Sequence, residues 1–450
     1  MNSETSTAER PPSRLRHMWQ AVAAGGAALR HRNFRLFFWG QLISLIGTWM
    51  QSLAQSWLVF TLTHSAFQLG IVSTFQFLPI LLFSLFAGVV VDRFPKRRLI
   101  VITQILFLVQ AAVLGVLVIA NTVQLWEVYV AAGIYGTVNA FDVPARQAFM
   151  VEMVGREDLL NGIALNSSIF NASRIFGPAI AALLILQVGT GMCFLINAAS
   201  YIAVLIGLFM MHIERRPVVP AVQRQRPLRQ IGEGLAYIRH NERMWLVFAM
   251  VSVLAIFGVP VYNTLLPIFA TDVLHADVGG LGTLTTGLGF GALVGAMVLA
   301  YLPPGSARGR LLLVAALCFG VTLGAVGLSH GLLLSAGLFA LVGFSLVSVN
   351  SSGNAIIQEM TPDGLRGRVM SVWGFSLLGL GPFGSFFAGT MAEHFGAPVT
   401  VMVAGGICLL AAIFVNIRSC RHHTLGKSSL PPPPIAAQEM EFPLEGALVD

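Results

Sequence analysis

Twelve long apolar stretches follow one another along this chain, and each is nearly free of charge. They fall at 36–61, 66–91, 98–120, 125–144, 161–187 and 191–212, then at 244–270, 279–302, 311–329, 332–355, 369–391 and 397–418. A helix of roughly 20 apolar residues crosses the hydrocarbon core of a bilayer. Buried strands would be far shorter than these runs. Composition agrees, with 56% apolar and 10% charged residues, against about 25% charged in soluble domains. So few charges could not cover a surface in water, whereas lipid solvates apolar surface directly. The expected fold class is all-α integral membrane, with twelve transmembrane helices.

Orientation follows from the bases. The chain holds 27 Lys and Arg and a formal charge of +7. A basic balance can signal nucleic acid, but the placement excludes it. Of the 27 bases, 26 lie before the first stretch, at or after the end of the last, in the central segment, or in or bordering the loops that follow even-numbered stretches. The six opposite loops carry none. Positive charge marks the cytoplasmic side, so both termini and the central loop are expected there. The remaining base, Arg174, lies inside the fifth stretch.

The chain also repeats. Glu152-Met153 recurs as Glu359-Met360, 207 residues on, and Gly177-Pro178 recurs as Gly381-Pro382, 204 residues on. The expected organisation is a cytoplasmic N-terminal segment (1–35), a six-helix half (36–212) and a cytoplasmic central loop (213–243). A second six-helix half (244–418) and a disordered cytoplasmic tail (419–450) with four prolines, Pro431 to Pro434, complete it. Two parallel six-helix halves around a midplane site describe one large class of secondary transporter.

The loop after the second stretch reads G-V-V-V-D-R-F-P-K-R-R, Gly88 to Arg98. It resembles the signature loop of the major facilitator superfamily, with Pro95 where that signature usually has Gly. Gly88 would let a neighbouring helix approach closely. Asp92 would cap a helix N-terminus across the interface of the halves, and Arg93, Lys96 and Arg97 would pair with acids or lipid phosphates. The bland alternative is an ordinary basic loop. Further segments are F-R-L-F-F-W-G-Q-L-I-S-L-I-G at 34–47, D-V-P-A-R-Q-A-F at 142–149, L-N-S-S-I-F-N-A-S-R-I-F-G-P at 165–178 and L-R-G-R-V-M-S-V-W at 365–373. Together they resemble the facilitator branch that includes the bacterial enterobactin exporter. That resemblance implies a major facilitator fold, an efflux antiporter and a bacterial inner membrane. It also implies that Asp142 meets Lys96 or Arg97 in a gate, and that Gly177-Pro178 marks a bend in the fifth helix.

Gln41, Ser44, Thr48, Gln51 and Gln55 recur at spacings of three and four, so they share one helical face. They read as a substrate-cavity lining, or as interhelical hydrogen bonds worth about 0.6 kcal/mol each. Asn171 and Arg174 share a face of the fifth stretch and join the cavity candidates. Arg174 either attracts substrate or tunes a proton site, or else ties backbone carbonyls near Pro178. Asp142 and Arg146 stand four apart at the expected end of the fourth stretch, a spacing that suits helical pairing. Glu152 and Glu359 are expected to hold loops by capping. No carboxylate is expected near the middle of a span, so proton coupling rests on class, with a weak basis in the residues.

No cofactor, metal or catalytic site is expected. Gly426-Lys427-Ser428 ends like a phosphate loop, yet Arg421 stands where its first Gly belongs. The four cysteines have no paired spacing. The expected function is export of an amphipathic small molecule, siderophore or drug-like, by alternating access. Its partners would be that substrate, membrane lipids and protons, with the chain a monomer. Alternatives are a lysophospholipid flippase of the same fold and a receptor or scaffold without turnover.

Overall fold

The computed structural model describes residues 26–155, 157–212, 227–302 and 306–422. The segment before residue 26, residues 213–226 of the central loop and the Pro-rich tail beyond 422 lie outside the described residues. α1 (Arg32–Thr63), α2 (Ala66–Arg93), α3 (Lys96–Ile119), α4 (Leu125–Val154), α5 (Leu159–Val188) and α6 (Thr190–Met210) form the first half. α7 (Pro227–His240) is a short helix within the central loop. The second half comprises α8 (Glu242–Val273), α9 (Val278–Tyr301), α10 (Ser306–Val326), α11 (Leu332–Met360), α12 (Gly364–Phe395) and α13 (Ala397–His422).

Ten of these helices are long and apolar enough to cross a membrane. α1 and α4 are as long but more polar, and the reason is visible in their packing. Gln41, Gln51 and Gln55 of α1 and Asp142 of α4 are all buried against protein. A helix surrounded by other helices need not be apolar on every face. The chain is a multi-pass membrane protein of the two-times-six type.

Local chemistry sets the helix ends. Ser65 caps α2 by accepting from Gln68 N at 3.3 Å. Gln124 and Glu127 form a reciprocal capping box at the start of α4. Asp277 caps α9 by accepting from Gly279 N at 2.9 Å. Glycine supplies positive φ at Gly189 (φ 84) between α5 and α6 and at Gly396 (φ 83) between α12 and α13, among other joins.

Three observations depart from the sequence expectations. The central loop contains α7, which Glu233 ties to Arg368 of α12 at 2.7 Å. α4 does not stop at residue 144 but runs to Val154, with Pro144 inside it. Proline removes one donor, and neighbouring helices in a bundle tolerate the loss. Lastly, α8 and α12 are not uniform. Each widens to i→i+5 pairing, at Leu254–Gly258 and Phe269–Val273 in α8 and at Phe375–Gly379 in α12. Pro260 and Pro382, which lack an N–H, follow two of these turns closely.

Candidate transport pathway between the two halves

Across the interface, α2 packs on α12 and α5 packs on α9. Both contacts lie away from the end that carries the Lys- and Arg-rich loops. At the base-free end, Ser65 Oγ and Phe67 N donate to Glu393 Oε2 at 2.9 and 3.0 Å. A carboxylate of the second half thus satisfies orphan donors at the N-terminus of α2, where the helix dipole favours negative charge. The rings of Phe67 and Phe386 meet edge to face at 6.0 Å. A Cβ on Gly70 would lie 2.7 Å from Ser385 O and 2.9 Å from Gly389 Cα. Here the two backbones touch. Thr74 Oγ1 adds a 3.3 Å bond to Pro382 O. On the other seam, a Cβ on Gly289 of α9 would lie 3.1 Å from Arg174 O. The repeated Gly-Pro pairs therefore sit one in each seam, on α5 and on α12.

The glycines nearer the basic end lack such contacts. A Cβ on Gly88, on the same α2, would meet nothing within 4 Å among the described residues, and neither would one on Gly367 or Gly374 of α12. The basic loop is held within its own half. Lys96 Nζ lies 4.0 Å from Glu152 Oε1, Arg97 Nη2 donates to Phe209 O at 3.3 Å, and Arg93 is exposed. The side chain of Asp92 lies outside the described residues. Among the described residues, the contact of α2 with α12 runs from Gly70 to Leu81 beside Gly379 and is not met at Gly88.

Arg174 sits near the seal. Its Nη2 lies 3.5 Å from Tyr262 OH on α8, and its guanidinium carbon is 5.7 Å from the ring centroid of Trp49 on α1. Its Nε is buried without a partner. Among the described residues it pairs with no carboxylate and bonds to no backbone carbonyl, so the structural tie near Pro178 is not formed. An Arg within a span costs about 2.5–3.5 kcal/mol. A cation–π contact returns roughly 0.5–2 kcal/mol, and one long bond to a phenol adds little. Gly177 allows the close packing of α1, since a Cβ there would lie 2.9 Å from Ile46 O. Pro178 is buried at this contact, and Asn171 is half-buried and donates to Ser167 O of its own helix at 2.8 Å.

The polar stripe of α1 points into the first half. Gln41, Ser44, Gln51 and Gln55 are buried and Thr48 is half-buried. Asn197 Nδ2 of α6 donates to Gln51 Oε1 at 2.6 Å, and Gln51 Nε2 donates to Gln110 Oε1 of α3 at 3.2 Å. Thr48 Oγ1 lies 3.3 Å from Tyr201 OH of α6. In this conformation these bonds form the interhelical network of the second reading. The face of α1 turned to α5 carries Ile46 and Trp49 instead.

Asp142, expected at the end of the fourth helix, lies further inside it. It is 4% exposed and stands well inside α4. Thr103 Oγ1 and Gln104 Nε2 of α3 donate to its Oδ1 at 2.5 and 3.1 Å. Arg146 Nε pairs with its other oxygen. The structure does not bring Asp142 to Lys96 or Arg97. The apolar stretch ends at residue 144, but α4 continues through Pro144 to Val154, and the helical pairing of Asp142 with Arg146 is formed.

Glu152 and Glu359 make equivalent ion pairs. Glu152 reaches Lys96 at the start of α3, and Glu359 reaches Arg308 Nη1 at the start of α10, 2.6 Å away. Each ties the fourth helix of its half to the third, so the sequence repeat has a matching contact in space.

The transmembrane secretion effector family model matches residues 23–445. The chain belongs to that family. This secretion effector chain is 25% identical over 386 residues to the staphyloferrin A transporter of Staphylococcus aureus, covering 85% of this chain and 96% of that one. It is 27% identical to the multidrug efflux pump Tap of Mycolicibacterium fortuitum, covering 84% and 93%. It is 26% identical to macrolide efflux protein A of Streptococcus pyogenes, covering 85% and 96%. Among solved structures, a bacterial homologue of the human lysosomal transporter Spinster, inward-facing and unoccupied, superimposes with a TM-score of 0.68. It shares 13% identity and covers 89% of this chain and 99% of that one. The fold is therefore the major facilitator fold, and this member is a transporter and not an enzyme.

Three residues that matter in this secretion effector fold were not singled out from sequence. Glu393, Tyr262 and Trp49 each act across a helix boundary. Tyr262 and Trp49 are unremarkable aromatic residues in apolar runs. Glu393 carried a weak signal, an acid in the last turn of a span, where the helix dipole disfavours it.

Proposed function

We propose that this transporter exports amphipathic small molecules from the cytoplasm by alternating access, driven by the proton gradient across a bacterial inner membrane. One observation carries the reading. α2 presses on α12 at Gly70 and stands free of it at Gly88. That difference along a single helix is what a cytoplasm-open state needs, provided the basic end is cytoplasmic as the distribution of bases supports. Export would proceed by loading from the basic end, closing there and parting at the Glu393 seal. The names of the relatives, two efflux proteins and a siderophore transporter, support outward movement of small molecules.

Asp142 supports coupling. It is the one acidic side chain among the buried described residues. Protonation there would release Arg146 and loosen α3 from α4. The decisive experiment uses inverted membrane vesicles energised by an acid interior, with a panel containing a macrolide, a cationic dye and an iron-free siderophore. Accumulation of at least one compound, abolished by a protonophore, is the expected result. No accumulation of any compound above vesicles lacking the protein would overturn the reading.

A further inference from the structure

We infer that Arg174, Tyr262 and Trp49 form a recognition site for the anionic head of an amphipathic substrate, a carboxylate above all. The inference deepens the export reading and rests on it for the site's purpose, but its chemistry stands on separate observations. Arg174 is the one base away from the basic end. Its guanidinium has five donors, yet the structure shows a single long bond, 3.5 Å to Tyr262 OH. Its Nε is buried and unpartnered. No acid neutralises it among the described residues. A permanent charge held near the junction of two halves, with donors unspent, is suited to an anion that arrives and leaves.

The surroundings narrow the ligand. Tyr262 OH accepts from Arg174, so its own proton is free to donate to the same anion. A carboxylate would take a forked pair of N–H donors from Arg174 and one O–H from Tyr262. Trp49 lies over the guanidinium at 5.7 Å, and Phe170 meets Trp49 edge to face at 5.6 Å. These rings would pack against an aromatic or aliphatic body next to the charge. The anion would also bridge the halves, because Arg174 belongs to α5 and Tyr262 to α8. Charge, rings and position together select an apolar molecule with an acidic group over a neutral or cationic one.

Matched probes test this without transport. Purified protein in detergent is titrated with 2-naphthoate and 2-naphthamide, and with biphenyl-4-carboxylate and biphenyl-4-carboxamide, following thermal stabilisation and tryptophan quenching. The acids should stabilise the protein and the amides should not. Arg174→Gln should weaken the acid response by roughly tenfold or more, and Arg174→Lys should keep part of it. Tyr262→Phe preserves charge and shape, so it reports on the site even if the Arg174 variants fold poorly, and it should weaken the acids severalfold. Equal binding of acid and amide, an unaltered acid response in Arg174→Gln or Tyr262→Phe, or no stabilisation by either acid would overturn the inference. Vesicle accumulation separates the two readings. Carboxylate-selective binding without accumulation leaves the site and removes export, whereas accumulation of compounds without acid selectivity does the reverse.

Discussion

Glu393 accepts a hydrogen bond from Ser65, a residue 328 positions away and in the other half of the molecule. The bond, with its companion from Phe67 N, makes the C-terminal end of α12 the cap of α2. Loss of a helix cap costs about 0.5–2 kcal/mol, and here that cost falls only on the conformation sealed at this end. Glu393→Ala should therefore raise the population of the opposite state between about twofold and thirtyfold. Spin labels at positions 122 and 330, in base-free loops of the two halves, measure it. An unchanged distance distribution would show that the cap does not hold the seal.

Gly70 and Gly88 lie on one helix and should respond in opposite ways. Gly88→Val adds bulk where nothing is near, so thermal stability should change by no more than about 0.5 kcal/mol. Transport should still fall, because closing the basic end brings α2 to α12 there. Gly70→Val overpacks the seal against Ser385 and Gly389, at about 1–3 kcal/mol. Melting curves and vesicle uptake of both variants decide the matter. Full transport in Gly88→Val would mean the inner ends never meet at this position.

Gln51→Leu should act on stability before it acts on substrate choice. The change strands Gln110 Oε1 in a buried residue, and it leaves Asn197 Nδ2 only its 3.3 Å bond to Tyr201 OH. A stranded buried polar group costs about 1–3 kcal/mol. The melting temperature should fall, and cysteines placed at positions 44 and 51 should react slowly with thiol reagents from either side. Fast labelling at both positions would show that the stripe opens to the pathway during turnover.

Asp142→Asn removes the partner of Arg146, whose side chain is only 13% exposed. Leaving one charge of a buried pair costs about 3–5 kcal/mol, so yield should drop sharply. Asp142→Asn with Arg146→Gln removes both charges and should recover most of the yield. If Asp142 carries the coupled proton, the recovered double variant should equilibrate substrate but no longer accumulate it against a pH gradient. Gradient-driven accumulation in that variant would place the proton site elsewhere.

The sequence alone determined that this chain lives in a bilayer, how many times it crosses, and that it is built as two related halves. Those properties are local or additive. Hydropathy accumulates over about 20 neighbouring residues, and Glu152-Met153 and Gly177-Pro178 repeat as written text. The 26 bases beside alternate segments support the proposed orientation in the same additive way. The sequence also marked Arg174 as costly, because any base in a span is. Only the tertiary structure decided which way a polar face turns. The α1 stripe has one periodicity whether it faces a gap or faces α3 and α6, and packing of Gly47 beside Asn197 and Ser200 sets the second. Asp142 looked terminal until α4 was seen to continue past Pro144. Glu393 and Ser65 share no pattern, since a cap supplied from the other half depends on how two bundles meet, and that is set by the close approach of α2 and α12 at Gly70.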